Sequence, residues 1–275
     1  MKFSVAARLA YEVRDRTAFI LNIEAAELRN QKILSETLTM SPSVPLDRFE
    51  TAGGTRLVRA VIEPGRFEVA YDAIVELAMH DADPTTLRET PVAELPLDVM
   101  TFLNPSRYCQ SDQLARFAYR EFGDLPPGHQ RVTAICNWIY EHVDYLSGSS
   151  NSETSANDTM VQRAGVCRDF AHLGIAFCRS LGIPARFASS YAWQLEPPDF
   201  HAVFECYLDG AWYLFDPTRM AALQGLVRIG VGHDAADAAF ATIYGNAEMT
   251  GMQVSIAPVD AVENSEPTIR AVGIA

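Results

Sequence analysis

The first eighty positions break into short apolar runs separated by Gly and Pro turn signals. Residues 3–11 have partial period-two character. Residues 17–23 form a compact apolar run. Residues 32–39 alternate, with Ile33, Leu38 and Met40 as inward positions. Gly53-Gly54 marks a turn before a strand at 55–62, and Pro64-Gly65 another before 66–79, which is rich in β-branched and aromatic residues. Short strands punctuated in this way predict a β-sandwich-like antiparallel unit. Two proline-bearing stretches, 80–84 and 91–105, then read as a linker. Its apolar residues Leu95, Leu97, Val99, Met100 and Phe102 are expected to dock on one unit or the other.

Helical spacing takes over at Ser111-Asp112, a capping pair before Leu114, Phe117 and Ala118. After the break at Pro126-Pro127-Gly128, Val132, Ile135, Cys136, Ile139, Tyr140 and Val143 recur at three and four, as on an amphipathic helix. Residues 147–157 are polar and read as an exposed loop, and 158–164 as a short helix with Gly165 as its C-cap. A mostly apolar helix runs from Cys167 to Leu181 and is closed by Gly182 and Pro184, so it should lie buried and central. Three strands are predicted at 185–193, 201–207 and 212–215, with Asp209-Gly210 as the hairpin turn between the last two. Residues 230–245 show no clear period, and 255–274 read as a strand and a tail. The predicted division is a β-rich unit over 1–83, a linker over 84–110 and an α+β unit over 111–275.

Composition narrows the function classes. A chain of 275 residues, 48% of them hydrophobic, can bury a sizeable core. Its net charge is −13, from 22 basic and 35 acidic residues, which disfavours a nucleic-acid partner. The N-terminus regains charge at Arg8, Glu12 and Arg14, unlike a signal peptide, and no apolar run reaches the roughly 18 residues of a membrane span. The 5 cysteines do not resemble a disulfide framework, so a cytoplasmic setting is expected. Strand edges in the β-rich unit leave room for a homo-oligomer.

Against this background Cys167 is the residue of interest. At the first turn of a helix it faces unpaired backbone N–H groups, which stabilise negative charge on sulfur or on an acyl-transfer oxyanion. An inert buried thiol is the plain alternative. His201 opens a strand after the loop at 196–200, where it is placed to take a proton; a histidine satisfied by backbone is the alternative. Period two puts His201, Val203 and Glu205 on one face, with Cys206 on the other. Counted back from Asp209-Gly210, Asp216 falls opposite His201 or one step away, where a carboxylate orients an imidazole. Its alternative is a cap on the turn before Pro217.

The other candidates fare worse. His172 lies about 140° around the helix from Cys167, a poor partner. Cys178 falls deeper on nearly the same face, as core. Cys167, His172, Cys178, His201 and Cys206 lack the close pairs of a zinc site, and 225–232 lacks the Lys and Ser or Thr of a phosphate loop. No metal and no cofactor is therefore expected.

Three blocks, Gly165-Val166-Cys167-Arg168-Asp169-Phe170-Ala171, His201-Ala202-Val203-Phe204-Glu205 and Trp212-Tyr213-Leu214-Phe215-Asp216-Pro217-Thr218, together resemble the Cys, His and Asp boxes of the bacterial transglutaminase-like superfamily. Residues 1–80 resemble the β-rich region that precedes this domain in many bacterial members. The resemblance implies an N-terminal antiparallel sandwich followed by a papain-like domain, with the Cys on a central helix packed against an antiparallel sheet. It implies Cys167 as nucleophile, His201 as base and Asp216 as orienter, with the Cys167 N–H, and secondarily Gln162, as oxyanion donors. Tyr191 and Trp193 are expected to line the cleft. Val203 departs from the Trp common after His-Ala in the family. The expected activity is thiol-dependent acyl transfer on a peptide or protein, foremost hydrolysis of peptide or amide bonds. Protein-glutamine amine transfer and a non-catalytic peptide-binding module are the alternatives.

Overall fold

The computed structural model describes residues 1–260 and 270–274. Seven strands come first: β1 (Lys2–Val13), β2 (Thr17–Leu21), β3 (Gln31–Ser41), β4 (Asp47–Glu50), β5 (Arg56–Ile62), β6 (Gly65–Leu77) and β7 (His80–Ala82). Helices then dominate, with α1 (Leu97–Met100), α2 (Ser111–Phe122), α3 (His129–His142), the short strand β8 (Asp144–Tyr145), α4 (Ala156–Gln162), β9 (Ala164–Gly165) and α5 (Cys167–Ser180). The rest comprises β10 (Ala185–Ala192), β11 (Phe200–Leu208), β12 (Ala211–Phe215), β13 (Leu226–Gly232), α6 (Ala235–Ala238), β14 (Ala241–Tyr244), β15 (Ala247–Pro258) and β16 (Ala271–Gly273).

Two antiparallel four-stranded sheets, in the orders β15-β1-β6-β3 and β14-β2-β5-β4, make the N-terminal layers. Alternate residues of β1 and β6 turn inward, and Tyr11, Phe19 and Phe67 meet with ring centroids 4.9 to 6.2 Å apart. The sequence pattern anticipates these strands. It misses the return of the chain: β15 pairs with β1 and β14 with β2, so residues 241–258 complete the N-terminal sheets although they were expected within the 111–275 unit. Of the expected strand and tail at 255–274, residues 255–258 end β15 and 271–273 form β16; 261–269 lie outside the described residues.

The second unit is a sheet of order β12-β11-β10-β13 with α5 packed across it, flanked by α2 and α3. Phe170, Leu173 and Phe177 of α5 are buried against this core. Gly174 allows the helix to sit close, since a Cβ there would lie 2.5 Å from the Phe204 ring. The linker docks on the same unit: Leu95 and Val99 pack against Trp212, whereas Leu97 is exposed.

The two units share a polar seam. Gln31 donates to the Ala26 and Arg228 carbonyls and accepts from the Arg228 N–H, and Thr55 bridges both backbone groups of Val231. The outer edge of β13 is thereby covered instead of being left for another chain.

Candidate active site

The start of α5 is built by its own sequence. Val166 is extended and its N–H donates to Asp169 Oδ2 at 2.9 Å, while the Asp169 N–H returns to the Val166 carbonyl at 2.9 Å. Asp169 also takes Arg168 at 3.0 Å, and Arg168 reaches the Asn151 carbonyl at 2.6 Å. Gly165 makes room for this arrangement, because a Cβ there would lie 2.7 Å from Asp169 Cβ. It is not the C-cap of α4; that position is Arg163, in the left-handed region at φ 57. Cys167 thus becomes the first helical residue, its N–H among those with no partner inside the helix.

His201 is almost fully buried at the start of β11, and its Nε2 bonds Asp216 Oδ2 at 2.8 Å. The β11–β12 ladder ends at Phe204↔Phe215, so its continuation sets Asp216 beside Val203 and the pair meets diagonally. The two readings of Asp216 hold together, one per oxygen. Oδ1 accepts the Thr218 N–H at 2.9 Å and the Thr218 hydroxyl at 2.7 Å, while Oδ2 serves the imidazole. Burial alone would raise the Asp216 pKa, but the His201 charge and these hydrogen bonds outweigh it and lower it. For His201, burial pulls the pKa down, yet Asp216 and Cys167 outweigh it and push it up to about 10. With Nε2 committed to Asp216, Nδ1, buried and without a hydrogen-bond partner, is the ring atom left for the Cys167 thiol.

Tyr145 joins the group unannounced by the sequence pattern. The parallel bridge Tyr145↔Gly165 and a contact with the Phe170 ring bring it beside Cys167, whose backbone and sulfur both act on its hydroxyl. Burial, then the charge of Cys167, pushes the phenol up to about 12.

Cys167 and His201 open onto a cleft of about 620 Å³ whose wall includes Phe187, Ala235, Ala239 and Phe240. The remaining candidates lie elsewhere. Gln162 is exposed at the end of α4 and away from the cleft lining. Tyr191 is buried between the two units, its hydroxyl donating to the Ile23 carbonyl at 2.7 Å, and Trp193 packs on Phe3 with centroids 5.7 Å apart. Neither lines the cleft: Phe187 and Ser189 do, and beyond the register shift at Ser189/Ser190 the strand meets the N-terminal core instead. His172 stacks on Tyr108 and accepts the Ala235 N–H at 3.1 Å; burial lowers it to about 3. Cys178 and Cys206 meet in the core at 3.6 Å. Among the described residues no His, Cys, Asp or Glu cluster could hold a metal ion.

A thiol on the leading turn of a central helix, facing an imidazole that an antiparallel hairpin ties to a carboxylate, defines the papain-like class of cysteine-dependent enzymes. Residues 117–217 match the transglutaminase-like superfamily, and residues 1–98 match the bacterial transglutaminase N-terminal domain. A solved structure from Cytophaga hutchinsonii, described as a candidate cysteine protease, is 45% identical with a TM-score of 0.96, covering 100% of this chain and 98% of that one. An uncharacterized protein of Mycobacterium leprae is 25% identical over 250 residues, 81% of this chain and 88% of its own. One of Mycobacterium tuberculosis is 27% identical over 262 residues, 82% of this chain and 81% of its own. The chain belongs to the transglutaminase-like superfamily, in its bacterial form with a β-rich N-terminal region.

Proposed function

We propose that this protein hydrolyses peptide or amide bonds with Cys167 as nucleophile, His201 as proton carrier and Asp216 as orienter. The observation that carries the reading is the committed imidazole: Nε2 is tied to Asp216 and Nδ1 is left to the sulfur at the cleft. The Cys167 sulfur adds to the carbonyl carbon, and the carbonyl electrons move onto oxygen. The Cys167 N–H and the Tyr145 hydroxyl stabilise that oxyanion; a phenol held protonated to about pH 12 is a donor at every working pH. As the C–N bond breaks, His201 Nδ1–H protonates the departing amine and a thioester remains. Water then gives a proton to Nδ1 and attacks the thioester, the C–S bond breaks, and the acid leaves. The likeness to the Cytophaga hutchinsonii protein, described as a candidate cysteine protease, favours water over an amine at this step.

Iodoacetamide at about pH 6.5, followed by intact mass, should label Cys167 once and promptly, and more slowly in His201→Ala. Labelling no faster than that of a thiol in the unfolded chain would sink the nucleophile. Peptide fragments with new carboxyl termini should dominate even when a primary amine is added; a majority of amine adducts would turn the reading to transfer. Tyr145→Phe should lower kcat by about 10- to 100-fold with little change in Tm, since only an oxyanion donor is lost. An unchanged kcat would remove Tyr145 from the mechanism.

A further inference from the structure

The cleft is electrically lopsided, and its polarity follows from helix phase. Counted from Cys167, Arg168 and His172 lie about 100° and 140° around α5, whereas Phe170 lies about 300° around. Tyr108 stacks on His172, and Arg107 and Arg168 both approach the Tyr108 ring, at 5.0 and 6.0 Å. The two arginines therefore mark one end of the cleft. Tyr145 packs on Phe170, on another side of the helix. Asp199 lies instead on the loop that leads into β11 and His201.

Asp199 precedes His201 by two residues and lines the same cleft. It is exposed there and accepts the Phe200 N–H at 2.7 Å; partial loss of hydration raises its carboxyl above the ordinary range, against that bond and the charge of His201. Among the described residues no lysine or arginine forms an ion pair with it. A cleft carboxylate whose bond is to the next backbone N–H, and which makes no ion pair with a lysine or arginine among the described residues, is free to take an incoming cation. The leaving amine is the group that receives the proton of His201, so it departs on the imidazole side, next to Asp199.

We infer that Asp199 makes the site selective for amides whose leaving-amine side carries a positive charge, such as a lysine or arginine immediately after the scissile bond. The inference rests on the proposed hydrolysis. The net charge of −13 draws cationic peptides from a distance but does not distinguish one side of the bond from the other. Asp199 does distinguish them, because it lies beside the imidazole that protonates the leaving amine, whereas Arg107 and Arg168 gather at the Tyr108 ring.

Peptides differing only in the first residue after the scissile amide, Lys, norleucine or Glu, should be turned over in that order. The Lys:norleucine ratio of kcat/KM should be about 10- to 100-fold and should shrink in high salt. A peptide of equal charge with the lysine moved to the acyl side controls for overall attraction and should lose the advantage. Asp199→Asn should bring the ratio towards one, and Asp199→Lys should reverse it in favour of Glu, an outcome that a merely structural role would not produce. A ratio near one in the unmodified protein, a ratio indifferent to Asp199→Asn, or an equal advantage for the acyl-side lysine overturns the inference while leaving the hydrolase intact. Absence of Cys167-dependent turnover with every peptide instead sinks the hydrolase. In that event, alkylation of Cys167 by 2-bromoethylammonium relative to iodoacetamide still reads the charge: a relative rate that falls in Asp199→Asn supports it, and an unmoved one refutes it.

Discussion

Cys167→Ser is expected to lower kcat/KM by about 10,000-fold or more, with the fold unchanged. The hydroxyl matches the thiol in shape but holds its proton far more tightly, so the imidazole cannot draw off a nucleophile at neutral pH. The same substitution should abolish labelling by iodoacetamide, although four thiols persist. Cys109, Cys136, Cys178 and Cys206 are all buried. Burial pushes Cys109 up to about 12 and raises Cys136 and Cys206 well above the ordinary range. None of them offers both access and a thiolate. Two readouts, peptide turnover and intact mass, should therefore vanish together while Tm holds. Retained turnover in Cys167→Ser would assign the chemistry to another residue.

The legible parts of this protein are those whose signals are local. The α5 helix begins at Cys167 and the hairpin turns at Asp209-Gly210, where φ values of 48 and 85 suit Asp and Gly. The hairpin brings His201 and Asp216 together, and only the resemblance of the three blocks joins Cys167 to them. Strand alternation similarly exposes β1 and β6. What escapes the sequence is set at long range. Strand β15 is mostly exposed and shows little alternation, and it finds β1 across more than two hundred residues. Strand β10 is buried on both faces, so nothing in its residues tells where along it the cleft gives way to the N-terminal core. Tyr145 sits in a two-residue strand, too short for any period. Its place beside Cys167 comes from the bridge to Gly165, a pairing that only the folded chain defines.

Asp216→Asn should cost about 1,000- to 10,000-fold in kcat/KM, far more than the loss of one charge suggests. The reason is the use of both carboxylate oxygens. The Thr218 N–H and hydroxyl occupy Oδ1, and they need an acceptor there. An asparagine therefore keeps its carbonyl towards Thr218 and turns its NH2 towards His201. Facing a donor, Nε2 must give up its proton, and the neutral ring then carries it on Nδ1, the atom that has to accept from Cys167. The ring is locked in the tautomer that cannot act as base. The pH profile separates this from a general loss of stability. In the unmodified protein Asp216 and Cys167, against the pull of burial, hold His201 up to about 10, so the imidazolium and its contribution to stability and catalysis are lost only as pH rises through that region. Without the carboxylate, burial dominates and the His201 pKa falls. The alkaline limb of kcat/KM should accordingly move to lower pH in Asp216→Asn, and the residual activity should decline across neutral pH. An alkaline limb that stays in place would mean that Asp216 serves the turn before Pro217 and not the imidazole.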